Sequence, residues 1–416
     1  MCRLTSAIIL VITTTPLLAD NWPAWRGPRG DGVCDEKGLP LTWSATENVR
    51  WKVPMAEPCN STPIIWGDRI FLTQGLDKGK KRAVLALDRK DGKKLWQREL
   101  PCTTEETTHK QNPPCSSSPV TDGKAVYAWL GSAGVVAHDL DGKELWKRDF
   151  GPILSRWGNA SSPILYKDLV IVFHGPGEPK TFLTALDKKT GKTIWQVDEK
   201  AINSPIFGSW STPIVVTIGK RDELIFPLPG DRVGGEGMIK AYDPATGKEL
   251  WMCKGLGTEI YSMPALSEAG DLIAVICGHN GPFVGVKPGG SGDVTSTHRA
   301  WRIAGKNPAR VGSGVFHGGR FFFASESGML ECIDPKTGEP DWKERLDGTL
   351  WGSVLKADDR FYVSNLEGTT FVLKAGPKFE LLATNKIKEP LYAAPAVSNG
   401  EIFLRTWQHL YCIKGK

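Results

Sequence analysis

The chain has 416 residues, of which 40% are hydrophobic, and a formal net charge of +6. This size can bury a large core, but it leaves the number of domains open. Basic residues are spread along the chain apart from the short run Lys78 to Arg82, which we interpret as a solvated loop tip. Nucleic-acid binding would need a basic stripe interleaved with aromatic residues, so we expect no nucleic-acid partner.

The first nineteen residues have the pattern of an export signal. Arg3 supplies a weak positive charge, residues 7–18 are mostly apolar, and Ala19 is a small residue before a cleavage point. No later segment approaches the roughly 20 apolar residues of a membrane span. We predict residues 1–19 to be a signal peptide, either cleaved or retained as an anchor, on an exported protein that is periplasmic or extracellular and does not span the membrane.

Eight of the nine cysteines remain once Cys2 leaves with the signal. An even number of cysteines in an oxidising compartment permits disulfides. Cys102 and Cys115 flank one proline-rich loop that a bridge could pin. They are therefore the candidate disulfide.

One pattern recurs along the chain: Ala-x-Asp, three residues, Gly, three residues, Trp. It is complete at Ala86–Trp96, Ala185–Trp195 and Ala241–Trp251. Altered copies lack one residue, replace Ala by Cys, expand the turn or lose the Trp; they are Ala137–Trp146, Cys332–Trp342, Gly285–Trp301 and Val372–Leu382. Such self-similarity is typical of a repeat architecture.

An eighth copy is split between the two ends of the chain. The C-terminus stops at Tyr411 to Lys414, where a copy should continue, and Val49 to Trp51 supply the end of a copy. Successive closing positions from Trp51 to Leu382 are 40 to 56 residues apart, and a Ser-x-Pro start and a β-rich run recur between them. We predict an all-β, eight-bladed β-propeller of four-stranded antiparallel blades over residues 48–416, closed by the N-terminal strand.

Each residue type of the repeat has a packing role. A small residue would leave room for the Trp of a neighbouring unit, Asp accepts hydrogen bonds from the turn, and Gly supplies a positive φ. Cys332 and Cys412 occupy the small-residue position, so we predict both to be buried and unpaired. Seven tryptophans are predicted to dock between blades, where each buries a large face: Trp51, Trp96, Trp146, Trp195, Trp251, Trp301 and Trp342.

The segment of residues 20–47 precedes the repeats. We predict that it is an N-terminal extension that packs on the propeller. Its tryptophans, Trp22 and Trp25, are interpreted as anchors for that packing.

The repeat resembles the tryptophan-docking motif of PQQ-type propellers, over roughly residues 48–416. This family contains quinoprotein alcohol and sugar dehydrogenases, the propeller lipoprotein of the outer-membrane barrel-assembly machinery, and many uncharacterised exported propellers. Fold similarity does not carry function across such groups.

A dehydrogenase role would imply adjacent cysteines and a Trp around the quinone, a calcium site of carboxylate and amide ligands, and a catalytic Asp. No two cysteines are adjacent, and the acids expected in the top loops are isolated: Glu178, Asp231, Glu236 and Glu259. We therefore predict no catalytic residue, no metal and no cofactor, with PQQ and calcium as the alternative.

The residues just before each Ser-x-Pro start should converge on the central channel, because there the chain crosses from an outer strand to the next inner strand. This predicted rim consists of Asn60, Arg156, Trp157, Trp210, Tyr261, Arg310, Trp351 and Tyr392. Aromatic residues and Arg dominate interface energetics, and could also stack on a sugar or a quinone. The alternative is that they plug the channel.

These observations favour a monomeric, non-catalytic scaffold or binding module of the cell envelope, with a protein or a glycan as partner. The sequence leaves two alternatives, a carbohydrate- or small-molecule-binding propeller and a PQQ-dependent oxidoreductase.

Overall fold

Eight four-stranded antiparallel sheets follow one another in the part of the chain that this computed structural model describes: residues 21–199, 204, 206–231, 235–278, 281–304 and 311–415. Within each sheet, neighbouring strands follow one another along the chain, except where the chain ends meet and where Gly292–Asp293, which pairs with the sheet before it, interrupts the order. Helix among these residues is limited to Thr295–His298 and a 3₁₀ turn at Gly131–Ala133. The predicted eight-bladed propeller is confirmed. The predicted signal peptide lies outside the described residues.

We number the blades in chain order and give the strands from the inside outwards. Blade 1 has Ile64–Trp66, Arg69–Leu76, Lys81–Asp88 and Lys94–Pro101; blade 2 has Val120–Thr121, Ala125–Trp129, Val135–Asp139 and Glu144–Arg148; blade 3 has Ile164–Tyr166, Leu169–His174, Phe182–Asp187 and Thr193–Asp198; blade 4 has Ile214–Ile218, Arg221–Leu228, Gly237–Tyr242 and Glu249–Leu256.

The second half continues in the same way. Blade 5 has Ala265–Leu266, Ile273–Ile276, Phe283–Val286 and Arg299–Ile303; blade 6 has Val315–His317, Arg320–Ala324, Met329–Ile333 and Pro340–Arg345; blade 7 has Leu355–Ala357, Arg360–Ser364, Thr369–Lys374 and Leu381–Lys386; blade 8 has Ala396–Ser398, Glu401–Arg405, His409–Lys414 and Val49–Pro54. Three short strands lie outside this scheme: Gly208–Ser209 and Glu259–Ile260 form a separate two-stranded parallel sheet, and Gly292–Asp293 adds a fifth, parallel strand to the outer edge of blade 4.

The last blade joins the two ends of the chain. Val49–Pro54 pairs antiparallel with His409–Lys414, and Trp51 lies opposite Cys412. A register shift follows this pair, and the same shift follows the pair of Ala86 and Trp96 in blade 1. The split eighth copy therefore has the geometry of the continuous copies.

The small residue of the repeat lies opposite the Trp of its own blade. Ala86 pairs with Trp96 of the same sheet, whereas we expected it to make room for a Trp from a neighbouring unit. The neighbouring blade contributes its turn glycine instead: a Cβ on Gly142 of blade 2 would lie 2.6 Å from the Trp96 ring. In blade 7 the residue opposite Val372 is Ala383, so the closing position is one residue later than Leu382.

The docking indoles also bond to the next blade. Trp96 Nε1 donates to the carbonyl of Leu140 in the turn of blade 2, at 2.9 Å. Five others donate equivalently, at 2.7 to 3.0 Å: Trp51 to Arg89, Trp146 to Lys188, Trp195 to Pro244, Trp301 to Pro335 and Trp342 to Pro377. Trp251 differs and donates to the Glu223 carboxylate of its own blade, where the next blade has the expanded turn.

None of the eight described cysteines forms a disulfide, and all eight are buried. Cys332 and Cys412 have no exposed area, as predicted. Cys102 and Cys115 do not form the candidate disulfide. The Cys102 thiol donates to the carbonyl of Thr104 at 3.5 Å. Burial raises the pKa of Cys332 and of Cys412 to about 12, so both are thiols at neutral pH.

The N-terminal extension crosses from blade 1 to blades 6 and 7. Trp22 is 2% exposed and exchanges two backbone hydrogen bonds with Ile65 of blade 1. The Arg26 guanidinium donates to the carbonyls of Val354, at 2.5 Å, and Gly314, at 3.0 Å. No helix among the described residues is long and apolar enough to cross a membrane.

Candidate functional site

Hydroxyl side chains connect the inner strands around the channel. They belong to the middle residue of the Ser-x-Pro start, which the sequence analysis left unassigned. Thr62 N donates to Ser118 Oγ at 2.8 Å, and Ser118 N donates to Ser162 Oγ at 3.0 Å. The same bond recurs from Ser162 to Thr212, from Met263 to Ser313 and from Ser313 to Ser353. These bonds hold neighbouring blades in register and so fix the loops above them.

A cavity of about 510 Å³ lies inside this ring. Six of the eight predicted rim residues line it: Asn60, Trp157, Trp210, Tyr261, Trp351 and Tyr392. Arg156 is exposed beside it, with its guanidinium 5.2 Å from the centroid of the Trp157 ring. Arg310 lies outside the described residues. Trp25 also lines the cavity, although we expected it to serve as a packing anchor like Trp22.

Hydrogen bonds and stacking hold the aromatic side chains in place. Trp210 Nε1 donates to the carbonyl of Gly158 at 2.7 Å, and its ring centroid is 5.3 Å from that of Tyr261. On the other side, Tyr392 stacks on Trp407 at 4.5 Å with an angle of 7° between the rings. The cavity walls are therefore preformed.

The loop between blades 1 and 2 supplies three further polar side chains to the cavity, those of His109, Gln111 and Asn112. The loop is tied to blade 1 by a buried ion pair, with Arg82 Nη2 2.5 Å from Glu106 Oε2. Arg82 is 2% exposed, so the basic run that we interpreted as a solvated tip has a buried end. Asn112 Nδ2 donates to the carbonyl of Trp157 at 2.8 Å, which joins the loop to blade 3.

Two acidic residues set the charge of the lining, Glu259 and Glu326. Tyr261 hydrogen-bonds Glu259, and burial together with both carboxylates raises the pKa of Tyr261 above its ordinary value. Burial and the nearby Lys110 lower the pKa of His109, against the opposing effect of Glu326, so His109 is neutral at pH 7. No lysine or arginine is present in the described lining, and its formal charge at neutral pH is negative.

Sequence reasoning noted Glu259 as an isolated acid and missed Glu326. Glu326 is in the hairpin between Arg320–Ala324 and Met329–Ile333, the second and third strands of blade 6. The rule that found the aromatic rim considered the chain before each Ser-x-Pro start. Applying it also to the hairpins between second and third strands, which end on the same face, would have included Glu326.

Fold and site together define a tryptophan-docked, eight-bladed propeller with a ligand-sized cavity at one end of its channel. The family model described as "Outer membrane protein assembly factor BamB" matches residues 33–151, 84–260 and 290–377. The chain belongs to this family of PQQ-like propellers.

Individual relatives fall into two groups. The chain is 24% identical over 268 residues to the quinohemoprotein alcohol dehydrogenase ADH-IIG of Pseudomonas putida, a match that covers 59% of the chain and 29% of the relative. It is 27% identical over 154 residues to the outer membrane protein assembly factor BamB of Burkholderia pseudomallei, covering 35% of the chain and 39% of the relative. The matches thus span less than half the length of these curated relatives.

Solved structures show the same fold. A europium-containing methanol dehydrogenase superposes with a TM-score of 0.70 at 13% identity, covering 92% of this chain and 89% of that one. BamB from Moraxella catarrhalis superposes with a TM-score of 0.61 at 15% identity, covering 88% and 96%. At these identities the likeness extends to the fold alone.

The charge of the lining bears on PQQ, the cofactor that the sequence analysis kept as an alternative. PQQ is a tricarboxylate, and like charges brought together in a partly desolvated site repel one another. The described lining offers PQQ two carboxylates and no lysine or arginine. No described group of three or more His, Cys, Asp or Glu residues is placed to hold a metal ion that could offset those charges. The described residues do not fit this cofactor.

Proposed function

We propose that this protein is an exported, non-catalytic binding propeller of the cell envelope, whose channel cavity receives a ligand or a segment of a partner protein. The observation that carries the proposal is the preformed aromatic cavity, in which Trp157, Trp210, Tyr261, Trp351 and Tyr392 surround one space of about 510 Å³. Cavities of this size with aromatic walls and a few convergent polar groups are typical ligand sites.

The named relatives support a role in the envelope. One of them is an outer membrane protein assembly factor, a description that involves protein partners rather than a reaction. The charge of the cavity lining also favours this role over that of the alcohol dehydrogenases, because it opposes the binding of a tricarboxylate quinone.

The test combines a triple variant with a ligand panel. The purified chain is titrated with soluble glycans, short peptides, and PQQ with calcium, and binding is followed by tryptophan fluorescence and calorimetry. The Trp210→Ala, Trp351→Ala, Tyr392→Ala variant should lose binding and keep the folded circular dichroism spectrum, because these rings line the cavity while the docking indoles are untouched. Unchanged binding would remove the proposal, and a stoichiometric bound quinone would favour the dehydrogenase.

A matched control removes three apolar side chains elsewhere. Leu95, Leu145 and Ile194 are 45% to 53% exposed on the outer strands of blades 1, 2 and 3. Their simultaneous replacement by Ala should leave ligand binding unchanged.

A further inference from the structure

The cavity combines aromatic faces with negative charge. Glu259 and Glu326 both line the cavity and both act electrostatically on Tyr261, and Glu326 also acts on His109 of the loop between blades 1 and 2. The two carboxylates therefore face one cluster of lining side chains. Among the described residues, no lysine or arginine lines the cavity or forms an ion pair with either carboxylate, while Lys110 acts on His109 and Arg156 lies beside the cavity. Within the described lining, the two carboxylates therefore attract a positively charged ligand.

The aromatic walls favour the same ligand. The face of an indole or phenol ring attracts a cation, most strongly when the site excludes water. The rim already contains one such pair, in which the Arg156 guanidinium lies over the Trp157 ring at 5.2 Å. Trp210, Trp351 and Tyr392 line the cavity without a described cation over them. Because Tyr392 stacks on Trp407 and Trp210 packs on Tyr261, a cationic group from outside would contact the parts of these rings that line the cavity.

Two other ligand classes fit less well. An anion would have to approach both carboxylates without a described counter-cation. A bare divalent ion needs several oxygen ligands converging within about 2.0–2.6 Å, and the described residues contain no cluster of three or more acidic, His or Cys side chains so placed. Aromatic walls also replace ion hydration poorly, whereas they suit the larger organic cations.

We infer that this cavity recognises a cationic nitrogen group, an ammonium or a guanidinium, held between the aromatic walls and the carboxylates of Glu259 and Glu326. The inference rests on the proposed binding function and names the chemistry of its ligand. A free small molecule and a basic side chain of a partner protein are both sources of this cation, since they present the same group to the cavity.

The experiment compares probes that differ in charge and little else. Acetyl-Gly-Arg-Gly-amide and its citrulline isostere have nearly the same shape, but citrulline is neutral. Agmatine presents a guanidinium without a peptide. The arginine peptide should bind the full chain at least about tenfold tighter than the citrulline peptide. If agmatine binds as tightly as the arginine peptide, the source of the cation is a small molecule. If the arginine peptide binds more tightly than agmatine, the source is a segment of a partner protein.

A cavity variant and a surface control test whether the preference for the arginine peptide over the citrulline peptide arises in the cavity. In Glu259→Gln, Glu326→Gln the arginine and citrulline peptides should bind equally. The control variant Glu47→Gln, Glu144→Gln changes the net charge by the same amount at two exposed positions and should keep the full preference. An arginine preference that survives in the cavity variant, or no binding of any cationic probe, would overturn the inference.

A salt series on the unmodified chain provides a test that needs no variant to fold. Added salt screens the attraction between a ligand cation and the carboxylates, so the arginine preference should shrink as salt rises. A preference independent of salt would contradict the inference. If both peptides bind equally and both lose binding in the aromatic triple variant, the cation inference fails while the proposed binding function stands.

Discussion

At the scale of single residues, the turn glycine of the repeat is required for two separate reasons. Gly142 has a φ of +83°, and a Cβ there would lie 2.6 Å from the Trp96 ring of the preceding blade. Gly191, Gly247 and Gly338 repeat this contact with Trp146, Trp195 and Trp301. The pattern therefore couples two blades, because the Gly of one turn and the Trp of the blade before it form one packing unit.

Two substitutions separate the effect of the positive φ from the effect of the close contact with the indole ring. Gly151 also has a positive φ, +85°, but a methyl group there would meet no atom within 4 Å. Gly151→Ala should cost about 1 kcal/mol from backbone strain alone, whereas Gly142→Ala should cost about 2–4 kcal/mol because the methyl group also displaces an indole. Urea denaturation of both variants measures the difference. Equal losses would mean that the contact with Trp96 adds nothing.

At the scale of elements, the seam between blades 8 and 1 depends on buried charge. Glu401 is 1% exposed and accepts from Arg89 Nε at 2.9 Å and from Arg50 of the N-terminal strand. Nearby, Arg405 is 1% exposed and donates to the carbonyl of Thr73 at 2.8 Å. These bonds join the three C-terminal strands of blade 8 to the N-terminal strand and to blade 1, to which no turn of the chain connects them.

Removing the negative charge of Glu401 should lower the free energy of unfolding of the whole propeller. Glu401→Gln leaves the buried Arg89 and the exposed Arg50 without their carboxylate, and breaking a buried pair such as that of Arg89 and Glu401 typically costs about 3–5 kcal/mol. The control Glu99→Gln removes the exposed ion pair with Lys81 and should leave the denaturation midpoint unchanged. A midpoint for Glu401→Gln equal to that of the control would show that strand pairing alone closes the ring.

At the scale of the whole molecule, the N-terminal extension joins blades that are distant around the ring. Trp22 pairs with blade 1, and Arg26 reaches the inner ends of blades 6 and 7, where its carbonyl acceptors are Val354 and Gly314. Between them, Trp25 enters the cavity lining. The extension therefore links the stability of the ring to the shape of the site.

Arg26→Met should test this link. Burial lowers the pKa of Arg26 to about 10, but the group is still charged at neutral pH, and its loss leaves two buried carbonyls without a donor. We expect a loss of about 2–4 kcal/mol and weaker ligand binding through displaced Trp25. Arg29→Met, which removes exposed pairs with Asp31 and Asp35, is the control. If Arg26→Met binds the ligand as tightly as the wild type, the packing of the extension does not affect the binding site.

The sequence by itself determined the blade count, the closure by Val49–Pro54 and most of the aromatic rim. Each of these depends on a pattern repeated within about fifty residues, and the same local chemistry produces the same hairpin each time it occurs. Even the expanded turn before Trp301 was visible as a departure from the repeat, and it coincides with the docking indole, Trp251, that bonds to Glu223 of its own blade instead.

The tertiary structure decided the chemistry of the cavity. Trp25, His109 and Glu326 belong to the N-terminal extension, an interblade loop and a hairpin, and no shared spacing relates them. They meet only because the ring closes and brings loops from opposite sides of the channel within reach of one another. Sequence spacing also could not decide the pairing of Cys102 and Cys115, which form no disulfide, because flanking one loop does not set the geometry that a disulfide requires. A repeat is encoded by local packing, whereas the charge of a cavity is the sum of side chains that only long-range closure assembles.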